Sequence, residues 1–227
     1  MDIHSHLIPG IDDGSRGMDH SIELVRALEA FGYQKLITTP HSSDMFPNSS
    51  ERILEGYYQL KERLIKEELS IEIEVACEYY ADEHFEKYLM DKDILTFGGT
   101  RKYLLFELSY FTPPRNIEEL VYEIKLNGYT PVLAHPERYL YWHDEFERYL
   151  SLKLEGVFFQ LNINSLNGYY NKGVQQTAEK LVKNKMVDFM GSDTHHMTHI
   201  KNLKKSFGLS LYRKAFKSNT ILNDTLL

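Results

Sequence analysis

Cysteine is nearly absent: Cys77 is the only one in 227 residues, so no disulfide framework can form within the chain, and a reducing cytoplasmic setting is expected. Long apolar runs are missing as well. No stretch is long enough to span a bilayer, and none has the order of a secretory signal, so stable membrane insertion is not expected. Positive charge is in deficit, with 26 Lys and Arg against 33 Asp and Glu and a formal net charge of −7. The chain as a whole should therefore not be drawn to nucleic acid or to an anionic membrane, which does not preclude a local cationic site. Three catalytic plans are also missing. Glu83 stands six positions after Cys77, where a thiol phosphatase loop needs arginine. There is no glycine-rich phosphate loop ending in lysine and no G-x-S-x-G, so neither a thiol nor a serine nucleophile is expected.

What is present starts at the N-terminus. In Asp2-Ile3-His4-Ser5-His6 an extended backbone places His4 and His6 on one side, both imidazoles together, before Pro9-Gly10 turns the chain into Asp12-Asp13-Gly14. From there short apolar runs alternate with helical patterns. Strands are predicted around Ile3 and at 35–39, 72–77, 103–106, 130–134, 157–161 and 187–190. Helices are predicted at about 18–31, through Ile53 to Leu64, from about Asp82, through Ile117 to Ile124, at about 144–153, through Val174 to Val182, and at about 203–216. No linker interrupts the series, so residues 1–227 are expected to form one domain. Seven strands separated by helices argue for parallel pairing, in an α/β barrel or an open doubly wound sheet. The distribution of polar residues favours the barrel. Nearly every strand delivers a candidate ligand at or past its C-terminal end, and a barrel gathers those ends around one point.

The candidates are His4, His6, Asp13, His41, Glu78, Glu107, His135, Asp193 and His195. Nitrogen and oxygen donors in this mix suit zinc, manganese or iron, and their number exceeds what one ion needs, so two or three divalent ions are implied. Ions a few ångströms apart suit hydrolysis of a phosphate ester, and Arg138, three residues after His135, could present a planar fork to the phosphate oxygens. Glu107 is a candidate site acid as long as it is not fully engaged as a ligand. His20, His84, His143 and His199 are expected at the surface, and Glu51 and Glu137 at the surface or behind the ligands. The loop 42–50 is a candidate lid, and Tyr79, Tyr80 and Tyr139 are candidates for an aromatic rim.

Five runs together resemble one superfamily: D-I-H-S-H-L-I-P-G-I-D-D-G-S from Asp2, T-P-H ending at His41, E-Y-Y from Glu78, A-H-P-E-R-Y from Ala134, and G-S-D-T-H ending at His195. The order is similar to that of the polymerase and histidinol phosphatase superfamily and, within it, of the bacterial capsule-type tyrosine-protein phosphatases. Histidinol phosphatase relatives carry histidine where this chain has Glu107, which points to the tyrosine phosphatase branch. The resemblance implies a distorted seven-stranded TIM-like barrel and three metals, with manganese foremost. His4, His6, Glu78 and Asp193 would hold the first, and Glu78 would bridge to the second, which Glu107 and His135 complete. Asp13, His41 and His195 would hold the third, and Arg138 would bind phosphate. It further implies hydrolysis of phosphotyrosine by a metal-bound hydroxide, on the tail of a tyrosine kinase of capsular or exopolysaccharide synthesis. Relatives often carry a further arginine after the last D-x-H, where this chain offers Lys201. Rival readings are a histidinol-phosphatase-like small-molecule phosphatase, a TatD-like metal nuclease, and a catalytically silent domain that binds a phosphorylated tail.

Overall fold

The helices form where an apolar stripe recurs with helical spacing, and at three of them a polar side chain closes the N-terminus. The computed structural model describes residues 1–226, the side chain of His84 excepted. Helix α1 (Met18–Ala30) buries Ile22, Val25 and Leu28, and α2 (Ser50–Lys66) buries Ile53, Tyr57, Leu60 and Leu64. Ser49, Asp82 and Asn171 accept a backbone N–H at the starts of α2, α3 (Glu83–Asp91) and α6 (Lys172–Lys183). Such caps satisfy donors that the first helical turn leaves open. Between α3 and α6 lie α4 (Ile117–Leu126) and α5 (Phe146–Leu154). The last helical stretch is two helices, α7 (Met197–Phe207) and α8 (Ser210–Ser218), rather than the single one expected. The chain turns at Gly208, where the Leu209 N–H donates to the Ser206 carbonyl at 3.0 Å.

The strands are β1 (Lys35–Thr38), β2 (His41–Ser42), β3 (Glu72–Val75), β4 (Glu78–Tyr80), β5 (Tyr103–Glu107), β6 (Thr130–Ala134), β7 (Phe158–Asn162) and β8 (Phe189–Gly191). All named pairings are parallel, in the order β2-β4-β5-β6-β7-β8, with β1 on β3 as a separate pair. The expected second and third strands are thus β1 and β3, and each is followed by a further short strand, β2 and β4, that lies beyond the expected range. The first expected strand is not continuous. Residues 2–6 make two isolated bridges, Asp2 to Leu36 and Ser5 to Thr194, because the stretch passes from one neighbour to another. Asp2 exchanges bonds with Lys35 and Ile37, whereas the Asp193 N–H donates to the His4 carbonyl at 2.8 Å and the His6 N–H to the Thr194 carbonyl at 2.9 Å.

Two apolar clusters follow from strand alternation. The larger lies between the strands and the helices. The smaller gathers Ile3, Ile37, Ala76, Phe97, Tyr103, Leu105, Val132, Ala134 and Phe189. Residues two apart share a face of a strand, so the face that carries Tyr103 and Leu105 ends on Glu107, and that of Phe189 continues through Gly191 to Asp193. The apolar plug is therefore the floor on which the polar side chains stand. Among the described residues, no helix is long and apolar enough to cross a membrane.

The side of β8 away from β7 is satisfied by a side chain. Asn223 accepts from the Met190 N–H at 2.9 Å and donates to the Met190 carbonyl at 2.8 Å, and to that of Met1 at 3.3 Å. Replacing Asn223 with alanine leaves a buried N–H and carbonyl unpaired, and should lower the unfolding free energy by about 1–3 kcal/mol in urea titrations.

Candidate metal centre

The site begins where strands stop. His41 and Glu78 are register partners on β2 and β4, and Tyr80 pairs with Glu107 on β5, so three candidate donors come from adjoining strands. His135 and Asp193 lie just past β6 and β8 and have left-handed backbones, with φ of 32° and 50°. For non-glycine residues this costs on the order of 1–3 kcal/mol and persists only where surrounding contacts impose it. At His135 it turns the side chain away from the strand direction and toward the centre. Gly191 contributes by what it lacks, since a Cβ there would lie 2.6 Å from Gln160 Nε2 and 2.7 Å from the His4 Cβ.

All nine candidates come together. Glu78 is fully buried at the middle: Oε2 lies 3.0 Å from His4 Nε2, 3.3 Å from His6 Nε2 and 3.2 Å from His41 Nδ1, and Oε1 lies 3.0 Å from His135 Nε2. Asp193 Oδ1 is 3.6 Å from both His4 Nε2 and His6 Nε2, and 3.3 Å from His195 Nδ1. Glu107 stands 3.2 Å from His41 Nδ1 and 3.7 Å from His135 Nε2. Asp13, on the open side, lies 3.5 Å from His41 Nε2 and 3.4 Å from His195 Nε2. Three donor sets have atoms within 4.8 Å of one another: His4, His6 and Glu78; His41, Glu78 and Glu107; and His6, Asp13, His41 and His195. His41 belongs to two of these sets, where the resemblance implied one.

The donors fit metal ions. His41 Nδ1 is buried and makes no hydrogen bond although two carboxylate oxygens lie 3.2 Å away. Lone pairs that converge without a proton aligned between them are what a cation needs. The electrostatics agree. Burial by itself would raise the carboxyls of Glu78 and Asp193, yet neighbouring positive groups, His4 foremost, hold both well below the usual carboxylate range. Burial would likewise lower His41, but Glu78 and Glu107 raise it to about 9. The carboxylates thus stay charged only beside cations, and divalent ions can supply that charge with the imidazoles neutral.

Behind the donors stands a shell that residue type had not revealed. Gln160 Oε1 lies 2.7 Å from His4 Nδ1, and Asp12 Oδ2 lies 2.8 Å from His6 Nδ1, so each imidazole presents Nε2 to the centre. Asp12 also accepts from the His41 and Gly14 N–H groups. Asn162 donates to Asp193 Oδ2 at 2.6 Å, and Arg138 Nη1 donates to the same oxygen at 3.0 Å. The Arg138 guanidinium is sandwiched between Tyr110 and Tyr170, 4.4 and 4.3 Å from the ring centres. A legible signal existed for part of this shell: Phe158, Gln160 and Asn162 alternate along one strand face, which buries two amides.

Several expectations need correction. His199 is buried rather than at the surface, its Nδ1 2.8 Å from the Asp193 carbonyl and 3.2 Å from the His195 N–H. Burial lowers its pKa to about 4. Of the two places expected for Glu137, the surface or behind the ligands, it takes the second: it is buried, accepts from Ser165 at 2.6 Å and the Asn162 N–H at 3.0 Å, and burial pushes it up to about 7. Glu51 is exposed, His20 and His143 are half-buried, and the His84 side chain lies outside the described residues. Tyr79 and Tyr139 belong to the core. Of the expected rim only Tyr80 lines the cavity over the site, ≈ 570 Å³, where it is joined by Phe46, Tyr110, Phe111 and Tyr170. Lys201 is exposed on α7 and is not among the lining residues. The expected lid, 42–50, is a hydrogen-bonded turn forming one wall, with Asn48 Nδ2 donating to the carbonyls of Ile11 and His41.

Comparison with known proteins adds ancestry to this geometry. A family model described as capsular polysaccharide synthesis, CpsB/CapC, matches residues 1–219. The chain is 32% identical over 219 residues to tyrosine-protein phosphatase YwqE of Bacillus subtilis, covering 96% of this chain and 85% of that protein. It is 30% identical to tyrosine-protein phosphatase CpsB of Streptococcus pneumoniae, covering 87% and 83%. A solved structure from work on YwqE and CpsB, described as unique metal-dependent tyrosine phosphatases, superposes with a TM-score of 0.81 at 30% identity over 97% of this chain and 95% of that one. Histidinol phosphate phosphatase of Lactococcus lactis shares the fold, with a TM-score of 0.57 at 14% identity over 94% and 93%.

If Asp12 and Gln160 orient the two N-terminal imidazoles, Asp12→Asn and Gln160→Leu should each weaken divalent-metal affinity about 10–100-fold in chelator competition. Circular dichroism of the metal-stripped variants should remain that of the parent.

Proposed function

The chain belongs to the CpsB/CapC family of capsular polysaccharide synthesis, and on that premise we propose that it is a metal-dependent protein-tyrosine phosphatase. Its substrate is the phosphotyrosine-bearing tail of a bacterial tyrosine kinase of exopolysaccharide synthesis, and it acts in the cytoplasm. The observation that carries this reading is the clustering of three metal-competent donor sets, two of which share Glu78, beneath a cavity that the half-buried guanidinium of Arg138 lines. We read the strands and residues 2–6 as a distorted seven-stranded TIM-like barrel comprising residues 1–227 as one domain.

His4, His6, Glu78 and Asp193 would hold one ion, Glu78, Glu107 and His135 a second, and Asp13, His41 and His195 a third, with manganese the first choice. Bound divalent ions would activate water and draw charge from the phosphoryl oxygens. The chain's own residues then bind and orient. Arg138 keeps one edge on Asp193 and turns the rest of its fork toward the cavity, where it can take phosphate oxygens in a charge-assisted pair. Glu107 is assigned as a ligand rather than as the site acid, because Oε1 faces His41 and Oε2 lies 3.3 Å from the Tyr110 hydroxyl. A nuclease reading is disfavoured by the net charge of −7 and by Asp44 and Asp82 on the cavity wall, which give a nucleic-acid backbone no cationic track.

Metal-stripped protein should release no phosphate from a phosphotyrosine peptide. Adding manganese or zinc should restore release from that peptide well above release from a phosphoserine peptide or histidinol phosphate. His135→Ala and Asp193→Ala should reduce turnover to background in folded protein; wild-type rates in both would remove these residues from the site. Arg138→Lys, which replaces a fork with a point charge, should lower kcat by about a hundredfold.

A further inference from the structure

The cavity has two unlike halves. Around the sheet, the loops after β2, β4 and β5 are neighbours, and the segments after β6, β7 and β8 continue the circuit. The second group brings Arg138, Tyr170, Asp193 and His195 to the cavity, whereas the first brings Met45, Phe46, Tyr80 and Phe111. Met45 is 80% exposed and Phe111 93%, although both are large and apolar. One exposed apolar side chain is ordinary. Two on separate ordered turns, lining the same cavity, form a surface suited to an apolar ligand.

Both turns are held by their own hydrogen bonds. The Ser43 N–H donates to the Phe46 carbonyl at 3.0 Å, and the Phe46 N–H to Ser43 Oγ at 3.1 Å. Ser109 Oγ accepts from the N–H groups of Phe111 and Thr112, each at 3.2 Å, while the Tyr141 hydroxyl donates to the Ser109 carbonyl at 2.8 Å. Phe46 stacks on His41, with centroids 5.8 Å apart and planes at 13°, so the apolar wall starts directly at the donor cluster. The same half contains Asp44 and Asp82, with the Asp44 N–H donating to Asp82 Oδ2 at 3.1 Å. Carboxylates there disfavour an anion on that side, so a phosphate monoester is oriented with its anion at Arg138 and its organic part on the apolar half.

We propose that Met45 and Phe111, backed by Phe46, are jaws that hold the aryl ring of the phosphotyrosine side chain and so set a preference for aryl over short alkyl phosphate esters. The inference rests on the phosphatase reading above and adds the group that chooses the substrate. A phosphoserine, with one methylene between phosphate oxygen and main chain, cannot fill the jaws while its phosphate sits at Arg138. An aryl ring can, gaining apolar burial and edge or face contact with Phe111.

Phenylphosphonate and methylphosphonate, which cannot be hydrolysed, test this by calorimetry on the metal-loaded full chain. Wild-type protein should bind the phenyl compound about tenfold or more tightly than the methyl compound. A Met45→Ser, Phe111→Ser double variant should lose most of that difference, with methylphosphonate affinity unchanged within about twofold. Phe111→Leu should keep an intermediate preference. Both positions are exposed, so unfolding curves should match the parent. Equal binding of the two compounds by wild type, or an equal loss of both in the double variant, would overturn the jaws alone. Failure of metal-loaded wild type to bind either phosphonate would overturn the phosphate-monoester reading and the jaws with it.

Discussion

Glu78 imposes the central constraint. A carboxylate cut off from water is strongly destabilised unless positive charge surrounds it, and Glu78 has no exposed surface. Four imidazoles approach its two oxygens, those of His4, His6, His41 and His135. Those imidazoles come from the N-terminal stretch, β2 and the end of β6, so satisfying one buried charge ties together segments more than a hundred residues apart. Asp193 repeats the pattern from the other side, with His4, His195 and Arg138 as its partners. A site of this kind is held together by charge balance, and its natural occupant is a cation.

The fold supplies that balance through strand alternation and local strain. An apolar plug that includes Tyr103, Leu105 and Phe189 fills the space beneath the donors, and the next residues on the same strand faces are the polar ones. Left-handed backbone at His135 turns inward a donor that a regular strand, with Ala134 in the plug, would have pointed outward, and Asp193 ends its strand in the same conformation. Behind them Gln160, Asp12 and Asn162 fix which ring nitrogen or carboxylate oxygen faces inward. Orientation of this sort determines metal affinity, because a donor free to rotate must be ordered when the ion binds.

Above the donors, charge and apolar surface are separated. Arg138 lies flat between Tyr110 and Tyr170, which limits its motion while leaving it beside the cavity. The apolar turns stand over β2 and β5. A ligand with a dianionic end and an aromatic body matches both halves at once, and membership in a family whose relatives include named tyrosine-protein phosphatases agrees with that match.

The residues that determined most about this protein are chemically distinctive and locally placed. His4 and His6 two apart, T-P-H, H-P-E-R and D-T-H past strand ends, and apolar runs alternating with helical stripes were enough for the α/β class and for the family, and they named nine candidate donors, which the fold brings together, because metal ligation tolerates few residue types. The tertiary structure alone decided what depends on distant partners. It distinguished Asp12, behind His6, from Asp13, at the open edge, and it placed His41 in two donor sets. It also buried His199 and Glu137, kept Tyr80 at the aromatic rim while adding Tyr110, Phe111 and Tyr170, and left Lys201 outside the cavity. Local pattern cannot report these outcomes. They follow from sheet order, from left-handed backbone at two non-glycine residues, and from pairings across the chain whose energy exists only once the strands are side by side.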